Sequence, residues 1–209
     1  MKQKSVKIQR RKPKQARALK KYNAILDACT QLLLLQGYEK ITILELSVES
    51  DVAVPTLYQY FENKEAIFIA WVDRVMDQVL TNVANMEATL TQIDLNEHIE
   101  PLVKTALFSV NYYRPGLQQL LSEVPNALSS KVIDRMESKT LSSVKGLYKH
   151  QFQKASDPLN LERRLLTLIR LITGYFVQAI MNERDINIHE ESGDLACLVS
   201  LYLSHHNIT

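Results

Sequence analysis

The 209-residue chain is 46% apolar and 23% charged and holds only five glycines and six prolines. That balance excludes a turn-rich all-β protein and a disordered chain, and suits long helices in one large domain or in a small domain joined to a larger one. The net charge of +2 hides a strong asymmetry: Lys2, Lys4, Lys7, Arg10, Arg11, Lys12, Lys14, Arg17, Lys20 and Lys21 crowd the first 21 residues without one acid, leaving the remainder at −8.

A basic end on an acidic body points to a polyanion partner approached from one side. No apolar run follows those charges, so no signal peptide is expected. Cys29 and Cys197 each lie in an apolar helical pattern and are read as two buried free thiols of a cytoplasmic protein.

After the basic segment, Tyr22, Ile25, Leu26, Cys29, Leu32 and Leu33 recur at helical spacing, and Gly37 supplies a left-handed stop. Thr42 and Glu45 form a capping box that opens a short helix to about Ser50. Asp51-Val52 breaks the chain, and a second short helix runs from about Val54 to Phe61. Asn63 then caps a longer helix with Ile67, Phe68, Trp71, Val75 and Val79 on one stripe. Two short helices across a tight turn, braced by the helix before them, make a helix-turn-helix.

Further along, Asp94 caps a helix that Pro115-Gly116 is expected to end, and a short helix then stops at Pro125. A helix over roughly 127–155 follows. Asp157-Pro158 starts another to 184, DINIHEESGD (185–194) reads as a loop, and Leu195, Leu198, Val199 and Tyr202 mark a last helix. The segment 165–181 carries Arg170 and Gln178, so it reads as a buried helix rather than a membrane span. The expected fold is all-α with about nine helices: a small N-terminal three-helix helix-turn-helix domain on a larger C-terminal helical bundle.

The stretch DVAVPTLYQYFENKEAIF (51–68) concentrates hydroxyls and rings where a core has little use for them. Leu57 and Phe61, four apart, would face the first helix, leaving Thr56, Tyr58 and Gln59 pointing elsewhere. Hydroxyls suit phosphate oxygens. Val54 and Pro55 fit a thymine methyl, and Gln59 can pair with adenine. Lys64, in the first turn of the next helix, can grip a phosphate together with free backbone amides.

These residues carry a resemblance. The series Gly37-Tyr38, Thr42, Leu46, Val52, Thr56-Leu57-Tyr58, Tyr60-Phe61 and Lys64-Glu65 resembles the DNA-binding domain of TetR-type (tetracycline-repressor-like) bacterial transcriptional regulators, over about a fifth of the chain. The resemblance implies that Thr42, Thr56, Tyr58, Tyr60 and Lys64 contact the DNA backbone while the start of the 54–60 helix reads bases. The candidate DNA-binding set is Thr42, Ala53, Val54, Pro55, Thr56, Tyr58, Gln59, Tyr60 and Lys64. Three positions depart from the pattern: Asp51 stands at the usual turn glycine, Ala53 at the usual serine cap, and Pro55 at the usual small residue.

The resemblance further implies a repressor released from a palindromic operator by a small-molecule effector. Its domains would be a basic arm (1–20), a DNA-binding domain (21–68) and an effector-binding and dimerisation domain (69–209). Trp71, Phe108, Tyr112, Met136, Phe152 and Phe176 are candidate pocket-lining residues, and the last two helices would pair in a homodimer. No cofactor, membrane or metal partner is expected. An enzyme would show a phosphate-cradling glycine loop, His-Glu-x-x-His or a close cysteine pair, and the chain has none. His98 with Glu97 and Glu100, and His205-His206, read as solvated polar faces. A protein-only helical adaptor would leave the basic segment unexplained.

Overall fold

The structure, a computed structural model, describes residues 13–89, 95–124, 129–149, 153, 157–182 and 187–204. Eight helices and no strand occur among them: α1 (Ala16–Gln36), α2 (Ile43–Ser50), α3 (Val54–Tyr60), α4 (Lys64–Glu87), α5 (Leu95–Glu123), α6 (Ser130–Leu147), α7 (Pro158–Met181) and α8 (Ile188–Ser204). The basic residues up to Lys12, together with Phe152 and His205-His206, lie outside the described residues. The chain divides into two compact units, Met1–Arg74 with Pro115–Leu128 and Val75–Arg114 with Ser129–Thr209.

In the first unit, α1 buries Tyr22, Ile25, Leu26, Ala28, Cys29, Leu32 and Leu33, the stripe expected from its spacing. Gly37 ends it at φ +82°, in the region glycine tolerates best. Trp71 is sealed in this core, and its indole Nε1 donates to Thr30 Oγ1 at 2.9 Å. Arg74 fans over the same face of α1, donating to Asp27 Oδ1 (2.5 Å) and to the Leu26 carbonyl (2.7 Å).

Pro115-Gly116 does not end a helix: α5 runs through both residues to Glu123. A proline inside a helix costs about 3 kcal/mol. Leu117, Leu120 and Val124 are buried beyond it, each contributing roughly 1.5–3 kcal/mol. Burial wins. Gly116 suits the close packing here, because a Cβ would lie 3.0 Å from Trp71 Cη2 and 3.4 Å from Leu33 Cδ1, and the indole would have to give by a few tenths of an ångström.

In the second unit, Ile99, Leu168, Ala196 and Val199 form a buried cluster, with Val103, Ile172, Tyr202 and Leu203 packed around it. Arg164 donates to the carbonyls of Tyr202 and Leu203 and so satisfies the end of α8. Asp77–Lys139 (2.7 Å) ties α4 to α6, and Glu162–Lys145 (2.6 Å) ties α7 to α6. The expected loop 185–194 is shorter than its polar composition suggested, because α8 already begins at Ile188. Asn187 accepts from the Glu190 amide while the Glu191 carboxylate reaches back to the Asn187 amide, a cap hidden in what reads as loop. Cys29 is buried as expected, whereas Cys197 is exposed. The 165–181 reading is likewise corrected: only 28% of the apolar window of α7 is buried within the chain.

Candidate nucleic-acid interface

Short helices need external support, and α3 has seven residues with no side-chain cap at Ala53. Pro55 preorganises its first turn. Its anchors are Leu57 and Phe61, each 1% exposed. Phe61 stacks on Tyr22 of α1 at a centroid separation of 5.0 Å, and Tyr60 meets the same ring edge-on at 6.0 Å. With the 57/61 face turned inward, Ala53, Pro55, Tyr58 and Gln59 stand exposed, and Val54, Thr56 and Tyr60 are half-buried. Tyr58 is 46% exposed, a large ring held out of the core.

The turn before α3 follows from Asp51, which adopts the left-handed conformation at φ 50° and donates its amide to Ser47 O and Val48 O. At the start of α2, the Thr42 hydroxyl accepts from the Glu45 amide (3.1 Å), while the Thr42 amide donates to Glu45 Oε2 at 2.7 Å. Backbone and side-chain hydrogen bonds from Thr42, then one from Gln36, hold the Glu45 carboxyl below its ordinary value. Asn63 Oδ1 accepts from the Ala66 amide and caps α4.

Lys64 is placed differently from a freely projecting cation. Its ammonium donates to the Tyr38 carbonyl at 2.5 Å and the Glu39 carbonyl at 3.3 Å, and sits 4.1 Å from the centroid of the Tyr38 ring. Burial lowers its pKa against the pull of Glu123, Glu39 and Glu45. Lys14, Arg17, Lys20 and Lys21 are exposed at the start of α1, whose first turn carries no acid.

The candidate effector residues among those described differ in burial. Trp71 belongs to the core of the first unit, whereas Phe108 and Tyr112 are 56% and 70% exposed on α5. Met136 and Phe176 are half-buried, Phe176 lying edge-on to Tyr175 at 6.0 Å. The sequence reading missed Tyr148, whose buried hydroxyl has no hydrogen-bond partner in the structure. Burial, then the Glu87 carboxylate, pushes its pKa up to about 12, so at neutral pH it is a protonated donor. Among the described residues no group of three or more His, Cys, Asp or Glu is arranged to hold a metal ion.

Two short helices crossing at a left-handed turn, braced by α1 and presenting polar and aromatic side chains from the second, define a helix-turn-helix DNA-binding domain. Residues 25–71 match the family described as bacterial regulatory proteins, tetR family. That stretch of the chain is thus similar to the DNA-binding domain of TetR-type regulators. The fold of the chain is similar to that of a TetR-family transcriptional regulator from Mesorhizobium loti (17% identity, TM-score 0.64, 91% of this chain and 98% of that one). It is also similar to the TetR family repressor AlkX from a Dietzia strain, implicated in biodegradation of n-alkanes (12%, TM-score 0.66, 87% and 95%). A third likeness is to the regulator FadR from Bacillus subtilis in complex with stearoyl-CoA (20%, TM-score 0.58, 88% and 98%). No curated protein matches the chain in sequence.

Proposed function

We propose that the protein is a homodimeric repressor that occupies a palindromic operator and is released by a small-molecule effector. The observation that carries the reading is the start of α3, where Pro55, Tyr58 and Gln59 are exposed on a helix whose Leu57 and Phe61 are sealed in the core. Pro55 and Val54 suit thymine methyls and Gln59 suits adenine, while Thr42, Thr56, Tyr58, Tyr60 and Lys64 take backbone phosphates. Thr42 and Lys64 would do so by exchanging their present partners, the Glu45 carboxylate and the Tyr38–Glu39 carbonyls. The arm 1–20 and Lys21 add charge that releases counterions from DNA.

Pairing through α7 and α8 is supported by what these helices leave uncovered. Leu171, Met181, Leu198 and Leu201 are exposed, and a Cβ at Gly174 of α7 would meet nothing within 4 Å. The α7 window has a mean hydropathy of 1.3, and by length and composition alone it passes for a membrane span. Arg170 and Gln178 on its exposed side favour a second protein copy over lipid. Four helices from two chains would bury each other's apolar stripes and set two α3 helices at half-sites about 34–36 Å apart, or a multiple of that. The protein would work in the cytoplasm, beside the DNA.

Effector release would follow from linkage: a ligand preferring the conformation with misspaced reading helices weakens DNA binding as much as DNA weakens its own. Long-chain acyl compounds are the first effectors to assay, given the stearoyl-CoA-bound FadR and the alkane-linked AlkX among the fold relatives.

Selecting bound sequences from a random duplex pool tests the reading. An inverted repeat is the expected product. Enrichment of an asymmetric site would overturn the dimer, and no enrichment at low salt would overturn DNA binding altogether. A parallel selection with Gln59→Ala should return altered bases in each half-site.

A further inference from the structure

The last two turns of α5 are absent from the DNA-reading scheme above, yet they belong to the same unit as the helix-turn-helix. Gly116, Gln119 and Glu123 recur at i, i+3 and i+7, so they share one face of the helix. Gly116 lies against Trp71 and Leu33, and the Gln119 side chain lies over Gly37, with Oε1 3.3 Å from where a Cβ would stand. That Gln119 oxygen is buried and accepts no hydrogen bond in the structure. At the end of the face, Glu123 Oε2 accepts the Glu39 amide at 3.0 Å.

The Tyr38–Glu39 peptide is therefore held from both sides. Its N–H goes to the Glu123 carboxylate, and its carbonyl takes the Lys64 ammonium. A carboxylate on the final residue of a 29-residue helix runs against the helix dipole, whose negative end favours a cation, and the last turn holds no basic residue. An acid so placed needs a local reason to be there, and the amide it accepts is one.

We propose that Glu123 is a positioning residue for DNA binding: with Lys64 it clamps the Tyr38–Glu39 peptide, and so fixes the turn from which Thr42 and α2 begin, without touching DNA itself. The clamp rests on the reading of α2 and α3 as the DNA-binding element. Lys64 is shared between the clamp and phosphate. When it turns to DNA, Glu123 alone retains the peptide, so the loop keeps its place at the moment the protein binds.

Glu123→Ala and Glu123→Gln separate this role from charge. Both remove one negative charge, but only the glutamine keeps an oxygen that can accept the Glu39 amide. Two measurements are made on the full chain: hydrogen exchange of the Glu39 amide, and affinity for the duplex returned by selection at fixed salt. Relative to Glu123→Gln, Glu123→Ala should speed Glu39 exchange and weaken binding, each by about tenfold, with matching thermal midpoints. Equal exchange in the two variants would overturn the clamp. Faster exchange with equal DNA affinity would overturn the positioning role. If the parent too ignores every duplex, DNA binding itself falls, and the exchange comparison alone judges the clamp.

Discussion

The Lys64 side chain is anchored on backbone and ring together. Its ammonium gives two of three hydrogens to the Tyr38 and Glu39 carbonyls and stacks on the Tyr38 ring, which itself lies edge-on to Phe68 at 4.9 Å. A charge-assisted bond is worth roughly 1.5–3 kcal/mol, but this ammonium is half-buried and screened by solvent. Lys64→Ala should therefore cost on the order of 1 kcal/mol, about 2–4 °C in thermal midpoint for a chain this size. If the ammonium also reaches phosphate, the salt slope of DNA binding falls by about one. A lowered midpoint with an unchanged slope would assign Lys64 to the clamp alone.

At the scale of elements, local signals were legible and distant ones were not. Thr42 with Glu45, Gly37, Asp51 and Asn63 each act within four residues of themselves, and each does in the structure what its chemistry implies. The exposed side of α3 was legible for the same reason, since Leu57 and Phe61 fix which way it turns. Pro115-Gly116 misled because the outcome depends on Trp71 and Leu33, far away in sequence. Size and ring character single out Phe108 and Tyr112 in the sequence, but periodicity alone does not say which face of a helix is covered, and both are exposed on α5.

Two predictions belong here. Ala53 provides no side-chain cap for α3, so Ala53→Ser should stabilise the protein by about 0.5–1 kcal/mol, seen as a higher thermal midpoint. No rise would mean that α3 owes nothing to its first turn. Glu45 has a depressed folded-state pKa, so its contribution is complete above the ordinary value of 4.5 and is lost as pH falls through the lower folded value. Protection of the Glu45 and Leu46 amides, taken relative to their intrinsic exchange rates, should fall in that acid window, and Glu45→Gln should flatten the dependence.

At the scale of the molecule, Leu171, Met181, Leu198 and Leu201 leave apolar surface uncovered on α7 and α8. Replacing Leu171 and Leu201 together by glutamate puts like charges where two copies would meet. The double variant should sediment as a monomer and lose operator affinity on the order of 100-fold, while keeping weak binding to any duplex at low salt. A dimer that survives both changes would move the pairing surface elsewhere. Counterion release makes affinity for any duplex fall with salt, so all comparisons need one fixed ionic strength.

The contrasting cysteines also have a practical use. Cys29 is sealed in the first unit, where desolvation drives its pKa far upward and keeps it a protonated, unreactive thiol. Cys197 is open to reagent in the second. Brief exposure to an alkylating agent should tag Cys197 at once, and Cys29 only after its surroundings come apart. Tagging of Cys29 over rising urea then gives the first unit a built-in gauge of unfolding, with Cys197 as the internal standard for the reagent and no engineered label.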